Sequence, residues 1–284
     1  MSAAPRLGVQ TFVTDETLAV TDLARLVEDG GFESLFLPDH THIPVERATP
    51  YPHPPYGELP RPYYRIADPL VSLGAAAAVT DRLLLGTAVC LPAERDPIVL
   101  AKQVATLDHL AGGRVVLGVG AGWNLEETRN HGVDPTRRTA VLGERVRAMQ
   151  EIWRHDEAEF HGRYVDFAPI HSWPKPVQRP HPPVLLGGNG PTVLDRVLQY
   201  ADGWMPGHQR DLGALGARVA ELRARAAAAG RPDPEVTVVL GRPELVEEYA
   251  RIGADRVVFG LPEGDRAGLR RALADLAARV PISR

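Results

Sequence analysis

Cysteine, lysine and long apolar runs are what this chain has least of. With Cys90 as its single cysteine, no intrachain disulfide can form, and a lone thiol fits a reducing compartment. No stretch approaches the roughly 18 apolar residues that a membrane-spanning helix requires. The N-terminal MSAAPRLGVQTF lacks the charged start and apolar core of a secretory signal. Cytoplasmic residence without a membrane partner is the expectation. An excess of positive charge is missing too. Lys+Arg number 32 against 36 Asp+Glu, a formal net charge of −4, whereas a general nucleic-acid binder carries a basic footprint. Lys102 and Lys175 are the only lysines, so arginine supplies nearly all the cationic groups.

What is present is an ordinary globular composition, 44% hydrophobic over 284 residues. Short apolar, β-branched runs alternate with helical stripes, the pattern of βαβ units and a parallel sheet. The runs are Leu7–Phe12, Ser34–Pro38, Leu83–Val89, Val115–Val119, Val184–Gly187, Gly203–Met205, Val236–Leu240 and Arg256–Gly260. Between the third and fourth, Asp96-Pro97 reads as a cap followed by a first-turn proline. Leu100, Val104, Leu107 and Leu110 then form the stripe, and Gly112-Gly113 ends it. Several strand spacings lie near about 30 residues, which favours an α/β (β/α)8 TIM barrel over an open doubly wound sheet. No GxGxxG follows the first strand; GVGAG at Gly118–Gly122 follows the fourth, with different spacing. The expectation is one barrel domain over residues 1–284. Insertion loops are expected at about 40–65, after strand 2, and about 155–183, before strand 5. The first loop is rich in proline and tyrosine, follows a strand's C-terminal end, and suits either a ligand cover or a packing arm.

Four strand ends carry unusual residues. Asp39-His40-Thr41-His42 follows the second strand, where a histidine handles a proton near neutral pH or simply bonds to a loop. His-x-His also suggests a metal. The fourth and fifth strands end in glycine-rich runs with no histidine, however, and Asp255 precedes the eighth strand at the opposite face. A catalytic zinc wants about three protein ligands, so no metal is expected. Gly187-Gly188-Asn189-Gly190-Pro191 leads into a helix starting near Pro191 and reads as a phosphate turn or a plain tight turn. Gly118–Asn124 offers small residues that leave room for a ligand ring, with Trp123 and Asn124 lining it, or a turn over a core tryptophan. Gly86–Cys90 closes the third strand and says nothing by composition.

Together, LFLPDHTHIP, DPLVSLGAAAAVTDRLLLGTAV, DPIVLAKQVATLDHLAGGRVVLGVGAGW, WPKPVQRPHPPVLLGGNGP and ADGWMP resemble the luciferase-like flavin and deazaflavin oxidoreductases. The match runs in order from about Arg6 to Gly207 and is most similar to the branch using coenzyme F420. The resemblance implies a barrel with the coenzyme at its C-terminal face. It implies Asp39 and His40 beside the deazaflavin, with His40 the catalytic proton donor or orienting group. It implies a non-proline cis peptide at Ala88–Val89 behind the ring, Asn124 on the coenzyme side, and Gly187, Gly188, Asn189 and Gly190 around its phosphate. Hydride then passes between F420 and a small organic substrate: an activated alkene, imine or carbonyl. Reduced FMN with oxygen, as in the monooxygenases of the family, is the alternative, and a coenzyme-binding protein without catalysis is a third reading. Arg47, Arg61 and Arg65 stand as candidates for the coenzyme's acidic tail or as ordinary surface arginines. A homodimer through helices outside the barrel is also implied. One position departs from the family. Its F420-dependent sugar-phosphate dehydrogenases carry a catalytic glutamate where this chain has Ala121. Glu126 and Glu127 follow, but at a helix start their expected part is to favour the dipole.

Overall fold

The computed structural model describes residues 4–52 and 58–280. Its strands are β1 (Arg6–Gln10), β2 (Ser34–Leu37), β3 (Leu84–Thr87), β4 (Val115–Val119), β5 (Glu157–His161), β6 (Asp166–His171), β7 (Val184–Gly187), β8 (Gly203–Met205), β9 (Glu235–Val239) and β10 (Arg256–Gly260). Its helices are α1 (Val20–Asp29), α2 (Pro69–Ala77), α3 (Pro97–Leu110), α4 (Leu125–Asn130), α5 (Arg138–Arg154), α6 (Val193–Tyr200), α7 (Leu212–Ala228), α8 (Val246–Arg251) and α9 (Arg266–Arg279). The eight strands other than β5 and β6 close into a parallel barrel, β10 completing it against β1 from Arg6↔Arg256 to Gln10↔Gly260. This is the expected (β/α)8 architecture, with α4 added between β4 and α5.

Burial explains why these segments are strands. Every residue of β2 and β4 is buried, because barrel strands face side chains inside and helices outside. The helix starts follow the cap chemistry read from the sequence. Asp96 accepts from the Ile98 and Val99 amides at 3.0 and 2.9 Å, and Asp68 does the same at α2. At the end of α3, Gly112 and Gly113 take φ of 60° and 83°, a region that disfavours side chains. At the N-terminal end of the barrel, Arg256 is buried and held by Glu33 at 2.9 Å and by Glu235. Paired in this way, its charge is tolerated inside.

The two irregular segments differ in kind. In the first, between β2 and α2, the described residues are coil with a 3-10 turn at Arg61–Tyr64; Pro54, Pro55 and Tyr56 lie outside the described residues. The second is not a loop throughout: β5 and β6 pair as an antiparallel hairpin outside the barrel. Its strands are mostly exposed and polar, so they lack the continuous apolar run that marks the barrel strands. The tract after it returns to α5, where Lys175 Nζ donates to the Ile152 carbonyl at 2.6 Å and to that of His155, satisfying the open end of the helix.

Candidate active site at the barrel mouth

The mouth is built from the C-terminal ends of the strands, where barrel enzymes place their chemistry. β3 ends at Thr87, and just beyond it the peptide bond Ala88–Val89 is cis, at the position that the resemblance implied. Glycines surround this shelf for a steric reason. A Cβ on Gly120 would stand 2.5 Å from Val89 Cγ2, one on Gly187 2.9 Å from Val89 Cγ1, and one on Gly118 2.1 Å from the Thr87 carbonyl oxygen. The expectation that the small residues of Gly118–Gly122 leave room for a ring is therefore corrected: the space is filled by the Val89 side chain and the β3 backbone. Ala88 and Val89 themselves remain half-exposed.

Asp39 and His40 follow β2, and their roles differ. The buried Asp39 carboxylate receives Arg95 Nε and Nη2 at 3.0 and 2.7 Å and the Leu91 amide at 3.0 Å. Burial works against the Arg95 charge, yet bonding to Asp39 carries its pKa above the usual range. Expected beside the coenzyme, Asp39 holds the chain that follows the shelf.

His40 is buried, with its Nδ1 2.6 Å from Glu127 Oε2 and its Nε2 3.2 Å from Trp123 Nε1. An indole N–H only donates, so Nε2 accepts and Nδ1 carries the hydrogen given to Glu127. Glu127 is 0% exposed, and its other oxygen accepts the Thr41 amide at 3.0 Å. This overturns the reading of Glu127 as a dipole-favouring surface carboxylate. The signal that concealed it is its position three residues after Asn124, whose side chain caps α4. There a glutamate usually turns back to its own helix; here it crosses to the β2 end.

Aromatic rings cover the histidine. The His40 ring centroid lies 5.3 Å from Tyr63 and 5.7 Å from Trp123, and Tyr51 stands 5.7 Å from Trp123. Burial, then the hydrogen bond with Tyr51, raises the Tyr63 phenol well above its ordinary value, so it stays neutral. His42 does not converge with His40 on a common point: it bonds to Thr41 at 2.9 Å and Asn130 at 3.0 Å. Arg61 and Arg65 are held by Glu16 and Asp15 of the loop after β1, at 2.8 and 2.7 Å. Arg47 lies over the Trp123 ring at 5.2 Å.

On the far side, Gly188 has φ 120° and nothing within 4 Å of where a Cβ would stand, and neither has Gly190. Gly188–Gly190 is exposed, and the following helix begins at Val193, two residues later than expected. Arg218 donates to the Asn189 and Gly190 carbonyls at 2.8 Å each, fixing the turn with its amides free for an anion. A coenzyme with a flat ring and a phosphate fits these residues. Buried Asn124 Nδ2 and Gln10 Oε1 have no partner, which leaves a donor and an acceptor unsatisfied at the ends of β4 and β1.

The profile of luciferase-like monooxygenases matches residues 5–251. The chain belongs to this family. An uncharacterized protein of Mycobacterium tuberculosis is 42% identical over 278 residues, covering 96% of this chain and 98% of that protein. The F420-dependent glucose-6-phosphate dehydrogenase of Nakamurella multipartita is 35% identical over 192 residues, 66% of this chain and 51% of its own length. The FMNH2-dependent dimethylsulfone monooxygenase of Pseudomonas putida is 35% identical over 159 residues, 55% and 43% of the two chains. Among solved structures, a monooxygenase from Streptomyces bottropensis superposes with a TM-score of 0.79 at 20% identity, covering 96% of this chain and 98% of that one. An F420-dependent secondary alcohol dehydrogenase gives 0.76 at 18%, over 99% and 100%. At these identities the structures establish the fold. The luciferase-like family comprises oxidoreductases with F420 and with FMN, so a flavin or deazaflavin enzyme is the conclusion at this level.

Proposed function

We propose that this luciferase-like protein is an F420-dependent oxidoreductase acting on a small organic molecule bearing an activated alkene, imine or carbonyl. The observation that carries the reading is His40, buried and aligned by Glu127 in an aromatic-walled mouth beside the Ala88–Val89 shelf. When bound, the deazaflavin supplies the hydride chemistry. Ala88 and Val89 would back its ring, Asn124 would meet its polar edge, and Gly187–Gly190 would hold its phosphate. The chain's own work is placement and proton handling. His40 exchanges a proton with the substrate at Nε2, the nitrogen that Trp123 caps in this structure, while Glu127 keeps Nδ1 fixed and balances the imidazolium. Tyr51, Tyr63 and Trp123 exclude water around that nitrogen. A homodimer is part of the reading: Val71 on α2 and Val99 on α3 are 73% and 55% exposed on neighbouring helices.

The second reading is an FMN-dependent monooxygenase, favoured by the Pseudomonas putida relative, whose identity to this chain equals that of the F420-dependent one. Separate titrations with F420 and FMN distinguish the two. Tight F420 binding with turnover of electrophilic alkenes, imines or carbonyls is expected; preferential FMN binding with oxygen consumption would refute the F420 assignment.

A further inference from the structure

Behind His40 lies a second carboxyl group that the proton handling above leaves unused. Glu94, in the 3-10 turn Pro92–Glu94 after the shelf, is buried like Glu127 and is tied to the start of α4 at Thr128, the residue next to Glu127. Its Oε1 accepts from the Thr128 hydroxyl at 2.9 Å, while Oε2 is buried with no donor directed at it. Among the described residues, no arginine or lysine forms an ion pair with either glutamate. Arg95 is held by Asp39 and Asp68, Arg145 by the Pro92 and Arg95 carbonyls, and Arg138 by those of Gly122 and Pro135. The remaining titratable neighbours add no cation. Asp39 is a carboxyl group already bound to Arg95, burial pushes the Cys90 thiol well up, and burial lowers His131 toward its neutral form. Two carboxylates side by side in such a place do not both ionise.

We propose that Glu94 is a positioning residue: it carries a proton in the resting protein and donates it from Oε2 to Glu127, fixing Glu127 as the single anion that faces His40. This rests on His40 being the proton-handling group. Burial, and then the charge of Glu127, pushes Glu94 up to about 8, in the same sense as the geometry. The consequence is specific. With donors from His40, Thr41 and Glu94, the Glu127 carboxylate is occupied as an acceptor on both oxygens. It therefore leaves the Nδ1 hydrogen on His40, and the ring presents Nε2 to the substrate in one tautomer only.

The test uses the coenzyme-free protein, so that its failure is distinct from failure of the F420 reading. Infrared spectra at neutral pH should show the carbonyl band of a protonated, buried carboxylic acid, lost in Glu94→Gln. The imidazole 15N shifts of His40 should be unchanged in Glu94→Gln, which keeps a neutral donor, and displaced in Glu94→Leu, which removes it. Absence of the wild-type band overturns the proposal, whether or not the variants fold. So do equal displacements of His40 in both variants, the result of an ionised Glu94 whose charge both remove.

Discussion

His40 Nδ1 and Glu127 Oε2 stand 2.6 Å apart although 87 residues separate them, one following β2 and the other on α4. The pair makes the histidine's orientation a property of two barrel units rather than of one loop. His40→Ala should lower kcat by about 10²–10⁴-fold, the usual contribution of a positioned acid or base. Glu127→Gln should lower kcat by about tenfold or more, with coenzyme affinity close to wild type, because a neutral amide holds the ring without balancing its charge. Steady-state kinetics with the preferred coenzyme measure both. A His40→Ala protein that turns over like wild type would remove the assignment.

The glycines around the shelf predict a structural rather than a chemical loss. In Gly118→Ala the new Cβ meets the Thr87 carbonyl oxygen at 2.1 Å, and in Gly120→Ala it meets Val89 Cγ2 at 2.5 Å. Crowding of this kind costs about 1–3 kcal/mol, more at Gly118, where the obstacle is backbone. Urea unfolding should show a lower midpoint for both, with Gly118→Ala the worse; wild-type midpoints would mean that the shelf yields freely.

Strand identity and the Asp96 cap were legible in the sequence because each depends on near neighbours: continuous apolar runs, a cap beside its helix, glycines at the stop; barrel closure, which pairs β1 with β10, was legible only through the regular strand spacing. The cis bond at Ala88–Val89 was legible only through family resemblance, since composition says nothing of it, whereas the glycines of Gly187–Gly190 and the helix after them marked that turn, as a phosphate turn or a plain tight one. Glu127 and Glu94 escaped because their significance is a long-range contact. Glu127 looks like a helix-start acid until β2 delivers His40 to it. Asp39, whose type and place suggest the coenzyme, is also bound by Arg95, 56 positions on, a contact that nothing local announces. The β5–β6 hairpin was missed because exposed strands lack the apolar signature of a barrel.

Glu94 should shape the pH dependence of stability. An ordinary carboxyl of this kind titrates at 4.5, and in the folded chain burial moves it to about 8. Between those values the folded protein keeps a proton that the unfolded chain releases, so the contribution of this group to stability falls as pH rises, by up to about 1.4 kcal/mol per pH unit. Glu94→Gln lacks that proton equilibrium. The stability of the variant relative to wild type should therefore climb between about pH 5 and pH 8 in urea titrations; parallel curves would contradict the raised carboxyl.

The exposed Val71 and Val99 give the dimer a direct check. Sedimentation should report a dimer for wild type, and the double variant Val71→Glu/Val99→Glu should sediment as a monomer with its barrel intact by circular dichroism. A wild-type monomer at micromolar concentration, or a double variant that remains dimeric, would exclude this face as the interface.

Equilibrium titration of the purified protein with F420, and separately with FMN, tests the central claim most directly. Micromolar or tighter binding of F420, with FMN at least tenfold weaker, is the expected result. Preferential binding of FMN would contradict it and turn His40 and Glu127 into groups serving an oxygen-consuming reaction.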